Sequence, residues 1–371
     1  MDVLSEVRNH VALVTLNRPA ALNALSLEMV LRLRGLLEEH ALDPDVFAVL
    51  ISGAGGRAFC AGGDIRALYQ NFKATGSLQQ EFFAAEYPLD YLLYFYPKPH
   101  AVLMDGITLG GGMGIAQSSR LRIVGERTSL GMPEVAIGFF PDVGAGYFLS
   151  RLPGMLGIYL GLTGVQIRAA DALYCRLADA CLPAAASAVL IEELAQLRWS
   201  DDPALDLHRF VHAHAAPALP PPLAQLREAI DTHFAHSSVA AILSSLSGER
   251  RPQYAGWALQ TAELMRSRSP TMLGVTLRQL QRGAALSLAD CLRMELGMAL
   301  HAFEQGDFIE GVRATLVEKD NSPRWQPARI EAVTEEMIDA FFHERWTAGR
   351  HPLADLESQA AASVSAADAR S

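Results

Sequence analysis

An α/β fold with a helical C-terminal region is predicted by three observations. Apolar, β-rich runs alternate with a helical pattern over the first 125 residues, glycine-rich turns close the strands, and from about Pro153 onward helical patterns dominate. Strands separated by helices favour parallel pairing in a layered β/α core.

The first strand is Val11–Asn17 (VALVTLN), stopped by Arg18-Pro19, and the second is Val46–Ser52 (VFAVLIS), closed by Gly53-Ala54-Gly55-Gly56. Between them Ser26–Leu42 carries Leu27, Val30, Leu31, Leu33 and Leu37 at helical spacing. Gln80–Tyr94 is a second helical stretch. A third strand, His100–Met104, enters the turn Asp105-Gly106, and a short apolar helix after the glycine cluster Gly110–Gly114 leads to a fourth strand, Leu121–Val124. Helices are then expected over Ala169–Leu177, Ala185–Leu197, Leu223–Ala235, Val239–Leu246, Tyr254–Arg266, Leu273–Arg282 and Leu288–Gln305. The four prolines of Ala215–Pro222 mark a connection, and the Ala/Ser-rich end after Leu356 reads as a frayed tail. The expected organisation is a core over residues 1–205, a helical region over 206–350 and a tail over 351–371.

With 371 residues, half of them apolar and 19% charged, the chain has the composition of an ordinary globular protein. A net charge of −10 argues against a nucleic-acid partner, because phosphate neutralisation needs a basic face. No uncharged apolar run reaches the roughly 18 residues of a membrane span, and the N-terminus lacks the pattern of an export signal. The expectation is a cytoplasmic protein with no membrane partner. The four cysteines (Cys60, Cys175, Cys181, Cys291) form neither a disulfide framework nor a Cys-x-x-Cys metal site. His208 and His212 lie four apart, but no carboxylate or cysteine completes a ligand set, so no metal is expected.

Two glycine-rich turns follow strands and precede helices: Ala58–Ile65 (AFCAGGDI) and Leu109–Gly114 (LGGGMG). Glycine permits close backbone approach to a ligand and leaves N–H groups free near a helix start. One N–H from each turn aimed at a single oxygen would form an oxyanion hole. Asp64 doubles as a helix cap. In Met132–Gly144 (MPEVAIGFFPDVG), Glu134 and Asp142 lie eight apart among apolar residues, which is costly without a task and marks either a base or nucleophile or a buried cap. A serine elbow and a phosphate loop are both absent. Gly53–Ala58 meets the relaxed dinucleotide pattern, but another glycine turn follows where that motif needs a helix.

Asn23-Ala24-Leu25-Ser26, AFCAGGDI, Asp105–Ile115 (DGITLGGGMGI) and Met132–Leu152 (MPEVAIGFFPDVGAGYFLSRL) together resemble the crotonase, or enoyl-CoA hydratase/isomerase, superfamily in matching order. Ser269-Pro270-Thr271 with Thr276–Leu280, Asp307–Ala314 (DFIEGVRA) and Lys319–Pro323 (KDNSP) resemble its 3-hydroxyisobutyryl-CoA hydrolase branch. The resemblance implies a crotonase fold of repeated ββα units and hydrolysis of a 3-hydroxyacyl-CoA thioester in valine catabolism. It implies an oxyanion hole from Gly111 and a residue of Ala61-Gly62-Gly63, Gly63 foremost. It also implies CoA contacts at Asn23, Ala24, Leu25 and Ala61–Ile65, including Asp64 and Ile65, and a substrate-side contact at Glu86, whose alternative is a solvated helix carboxylate. CoA is part of the substrate and no cofactor is expected.

Hydratases of this superfamily use a second glutamate three residues past the oxyanion glycine, and that position is Gly114 here. Asp142 stands where they generally have glycine. The resemblance therefore favours a hydrolase using Glu134 and Asp142, the alternative being a hydratase or isomerase working with one glutamate. Relatives that trimerise through helical C-terminal parts leave a homo-oligomer open.

Overall fold

The structure, a computed structural model, describes residues 1–217, 219–347 and 349–358. Its scaffold is two sheets built from repeated strand–strand–helix units. The six-stranded sheet takes β1 (Val3–Arg8), β2 (Val11–Leu16), β3 (Ala48–Gly53), β5 (His100–Met104), β7 (Leu121–Gly125) and β10 (Ala180–Leu182), in that order. The four-stranded sheet takes β4 (Ala58–Cys60), β6 (Ile107–Leu109), β8 (Ser129–Gly131) and β9 (Ile167–Arg168). All neighbours are parallel except β1/β2 and β8/β9. The pairs β3–β4, β5–β6 and β7–β8 each send one strand to each sheet, whereas β1 and β2 both stay in the large one; this is the ββα repeat of the crotonase fold. The helices here are α1 (Leu27–Leu42), α2 (Ile65–Lys73), α3 (Leu78–Tyr94), α4 (Gly111–Gln117), α5 (Ala145–Phe148), α6 (Leu156–Thr163) and α7 (Ala169–Tyr174).

Period-two alternation explains why the strands of the large sheet read as unbroken apolar runs. Val11 and Leu13 of β2 join Ala48, Leu50, Ala101, Leu103, Leu121 and Ile123 on one face, while Ala12, Val14 and Leu16 join Val49, Ile51 and Val102 on the other. The first face is sealed by Leu190 and Leu194 of α8 (Ala184–Leu194) and Leu207 and Val211 of α9 (Pro203–His214). The boundary expected at 205 thus falls inside a helix that belongs to the sheet, and the chain leaves the core only along the proline connection that follows α9.

The remaining helices are α10 (Pro222–His233), α11 (Val239–Ser247), α12 (Pro252–Arg266), α13 (Pro270–Gly283), α14 (Leu288–Gln305), α15 (Asp307–Val312) and α16 (Glu335–Asp339). They share one hydrophobic core with the opposite face of the sheet. Proline at the first helical position starts α10, α12 and α13, and Ser269 and Ser287 cap α13 and α14 through their hydroxyls. The expected tail begins too early. Leu353 and Leu356 are buried, and Arg293 on α14 donates to the carbonyls of Leu353 and Ala354, so residues 351–358 pack, while 359–371 lie outside the described residues.

Candidate active site

Because β4 and β6 are parallel neighbours, the two glycine turns leave the same edge of the small sheet side by side. Gly62 (φ +103°) brings the first turn so near the second that an added Cβ would lie 3.7 Å from the Gly111 nitrogen. A Cβ on Gly112 would strike the Cys60 carbonyl, so α4 can begin this close to β4 only with glycine there. Within the first turn the Ala61 N–H is spent on the Leu22 carbonyl and that of Asp64 on the Leu25 carbonyl. Neither Gly63 nor Gly111 gives its N–H to a backbone carbonyl across the turns or loops of the described residues. Gly62, Gly63 and Gly111 all line the cavity and none of their N–H groups is spent in this way, so the geometry removes Ala61 as a donor and leaves Gly62 beside Gly63 in the first turn.

The cavity, of about 600 Å³, is lined by Ala24, Ala61, Gly62, Gly63, Asp64, Ile65, Glu86, Gly111, Glu134 and Asp142, ten of the twelve residues expected there. Asn23 and Leu25 are corrections. The Asn23 amide donates to the carbonyls of Ala54 and Ala58, and its oxygen accepts the Arg18 N–H, so the buried side chain holds the turn from behind. Leu25 is wholly buried beneath the start of α4. Asp64 caps α2 through Ala67 N–H and pairs with Arg18 at 2.8 Å. Arg18, Arg66 and Leu316 at the rim, and Phe82, Phe83 and Phe139 deeper in, line the cavity without having been singled out in the sequence.

Glu134 opens a single 3₁₀ turn, Glu134–Ile137, and its Oε1 would lie 2.9 Å from a Cβ on Gly110. Its other oxygen, Oε2, is buried without a protein partner. Burial first, and then the Asp142 charge, push its pKa well above the carboxylate range. Glu86 on α3 is only 2% exposed, so the solvated-helix alternative fails; its Oε1 abuts Gly111 so closely that a Cβ there would collide with it. Burial, reinforced by Asp142, Asp90 and Glu134, raises its pKa too.

Asp142 sits on a strained turn: Val143, a β-branched residue, has φ +52° and Gly144 has φ +83°. Glu295 of α14 holds that turn by accepting the Gly144 and Gly146 N–H groups at 2.7 and 2.8 Å, and Gln279 of α13 donates to both Pro141 O and Glu295. Tyr87 of α3 donates its hydroxyl to Asp142 Oδ2 at 2.9 Å. Burial raises the Asp142 pKa to about 7, with the Tyr87 hydrogen bond acting to lower it. Glu295→Ala leaves two buried N–H groups without an acceptor. The expected cost is about 2–4 kcal/mol, read as a lower Tm by calorimetry, with loss of turnover because the Asp142 turn is released.

The branch motifs in the helical half support the Glu134 turn from behind. A Cβ on Gly138 would strike the Asp307 carbonyl and one on Gly311 the Ile137 carbonyl, while Ser269 N–H reaches Val135 O and its hydroxyl donates to Asp307. Arg313 pairs with Glu310, Glu318 and Asp320, and so ties DFIEGVRA to KDNSP. Glu310 and Asp320 accordingly keep pKa values below the usual range.

Among the described residues no group of three or more His, Cys, Asp and Glu side chains could hold a metal ion. His208 and His212 lie ring beside ring, centroids 4.2 Å apart and tilted by 41°.

The family model for enoyl-CoA hydratase/isomerase matches residues 11–342. The chain belongs to that family. Among curated relatives in it, a mitochondrial 3-hydroxyisobutyryl-CoA hydrolase of Xenopus tropicalis is 41% identical over 335 residues, covering 89% of this chain and 85% of its own. The Rattus norvegicus enzyme of the same name is 39% identical (92% and 88%), and 3-hydroxyisobutyryl-CoA hydrolase 1 of Arabidopsis thaliana is 38% identical (92% and 91%). Two solved structures superpose closely. A carnitinyl-CoA dehydratase from Mycobacterium thermoresistibile has a TM-score of 0.84 and 40% identity, covering 92% of this chain and 96% of its own. An enoyl-CoA hydratase from Rhodobacter sphaeroides 2.4.1 has 0.83 and 37%, covering 93% and 98%. The crotonase fold and family read from the motifs are thereby borne out. The vertebrate relatives are named mitochondrial, against the expectation of a cytoplasmic protein; no helix among the described residues is long and apolar enough to cross a membrane.

Proposed function

We propose that this chain hydrolyses acyl-CoA thioesters, with 3-hydroxyisobutyryl-CoA as its substrate, giving 3-hydroxyisobutyrate and CoA within valine breakdown. The observation that carries the reading is the buried Glu134 and Asp142 pair sharing one cavity with the unspent N–H groups of Gly63 and Gly111. The thioester carbonyl oxygen is held by those two N–H groups, where negative charge develops as the carbon becomes tetrahedral. Glu134 attacks that carbon, directly or through a water it deprotonates. The C–S bond then breaks and the departing CoA sulfur takes a proton; on the direct route a water then opens the Glu134–acyl anhydride, and on either route the acid leaves as its carboxylate with Glu134 regenerated. Asp142, which lines the same cavity, binds the 3-hydroxyl of the acyl group in this reading. So written, the reaction needs no cofactor.

The two solved structures, named a dehydratase and a hydratase, favour a second reading, addition of water to an enoyl-CoA double bond. Gly114 speaks against it, since no carboxylate can come from that position to share the water with Glu134. Thiol release from 3-hydroxyisobutyryl-CoA, measured beside loss of crotonyl-CoA absorbance, decides: rapid thiol release with negligible hydration is expected, and the reverse pattern sinks the hydrolase reading. Asp142→Asn is expected to lower turnover of 3-hydroxyacyl thioesters at least about tenfold while slowing unhydroxylated acyl thioesters less. Equal losses on both would remove Asp142 from hydroxyl recognition.

A further inference from the structure

Behind the catalytic pair lies an acidic cluster that the reaction does not by itself explain. Five carboxylates, Glu86 and Asp90 on α3, Glu134, Asp142, and Glu295 on α14, are all buried. Among the described residues none of them has an ion pair with Arg, Lys or His, and the remaining titratable groups against them are Tyr87 on α3, Cys60 on β4 and Cys291 on α14. The segment α4 offers no titratable side chain, being GGMGIAQ. Without a cation, five buried carboxyl groups this close cannot all ionise together. Which of them carries negative charge is then decided by hydrogen-bond donors.

The donors are unevenly distributed. Glu295 receives three, from Gly144, Gly146 and Gln279. Asp142 receives the Tyr87 hydroxyl, while both Asp90 oxygens and Glu86 Oε1 lack any partner. Asp90, 1% exposed, points at bare backbone, and both its oxygens would lie 2.9 Å from a Cβ on Gly114.

We propose that Tyr87 is a positioning residue that, between the two aspartates, places negative charge on Asp142 and leaves Asp90 behind it as a neutral acid. The inference rests on the hydrolase reading for its kinetic consequence but not for its structural one. A carboxylate that accepts the Tyr87 O–H is stabilised in its charged form; a carboxyl facing only glycine and apolar side chains keeps its proton. Asp142 thereby meets the substrate as an acceptor, and its Oδ2 is fixed by a rigid, fully buried ring that packs on Phe83. Tyr87 does not line the cavity, so it acts only through Asp142.

The test uses Tyr87→Phe, which removes only the hydroxyl, Asp90→Asn, and the double variant, all in the full chain. In the resting protein at about pH 8, infrared difference spectra should show a protonated-carboxyl band that disappears in Asp90→Asn and persists in Asp142→Asn. In kinetics, the acid limb of kcat/KM should move up by about one to two pH units in Tyr87→Phe. Adding Asp90→Asn should bring it part of the way back, because the competing carboxyl is gone. A purely packing role for Tyr87 predicts an unmoved limb and no rescue, and either result overturns the proposal, as does a protonated band indifferent to Asp90→Asn. Absence of thiol release by the wild type would instead overturn the hydrolase reading, while the infrared titration still decides the location of the charge.

Discussion

Glu134→Gln is expected to lower thioester hydrolysis by about two orders of magnitude or more while leaving CoA affinity near that of the wild type. Glutamine keeps the volume and one oxygen beside Gly110 but neither attacks a carbonyl nor takes a proton from water. The cavity wall that would meet CoA, from Ala24 through Ala61–Arg66, does not touch the substitution, so binding and turnover should separate cleanly. Stability should not fall. The Glu134 pKa is raised by burial, so the folded chain holds a proton that the unfolded chain releases, and ionisation of this group costs stability as pH rises above the unfolded value. Glutamine removes that cost, and its Tm should match the wild type at acid pH and equal or exceed it at alkaline pH. Near-normal thiol release would remove Glu134 from the chemistry. A single turnover in ¹⁸O-water adds the mechanism: label found in Glu134 by mass spectrometry marks attack by the carboxylate itself, and label confined to the acid marks water.

Much of this site was legible in the sequence because its signals are local. The glycines of the two turns and the Glu134/Asp142 segment each lie within a dozen residues, and their chemistry follows from residue type and spacing. The small sheet was not legible. Strands of three residues such as β4 and β6 are too short to show alternation, so they read as parts of turns although they set the two glycine turns side by side. Asn23 and Leu25 went the other way, since a motif marks a segment and not which of its side chains turns inward. Glu295 was not singled out at all, and Gln279 only as one position of the Thr276–Leu280 motif, with no role. Each looks like an ordinary polar position on a helix, and only the packing of α13 and α14 against a turn some 150 residues earlier gives them their acceptors and donors. Asp90 did leave a trace, as the second carboxylate four residues after Glu86 on a helix otherwise crowded with Phe82, Phe83, Tyr87 and Leu89. Two carboxylates on one turn of an apolar helix are a buried pair before they are a solvated face.

Installing glutamate at Gly114 is expected to damage the fold without creating a hydratase. The sequence shows only that the carboxylate is missing there; the structure shows that it has no room. A Cβ at 114 would stand 2.7 Å from the Cβ of Val143 and 2.9 Å from both oxygens of Asp90. Val143 cannot easily yield, because its positive φ is set by the turn that Glu295 clamps through Gly144 and Gly146. Gly114→Ala alone should therefore cost about 1–3 kcal/mol as overpacking. Glu adds a second carboxyl against Asp90 with no cation to meet either, and the total should reach several kcal/mol, a fall in Tm of roughly 5–15 °C. Pairing Gly114→Glu with Asp90→Asn should recover part of that loss, since it leaves one buried carboxyl group where there would be two but keeps the contact with Val143. Crotonyl-CoA hydration should stay at background in both variants. A stable Gly114→Glu protein that hydrates crotonyl-CoA would show that one side chain separates the two reactions on this scaffold, whereas a destabilised and inactive one shows that Asp90, Val143 and the Glu295 clamp together hold the site to hydrolysis.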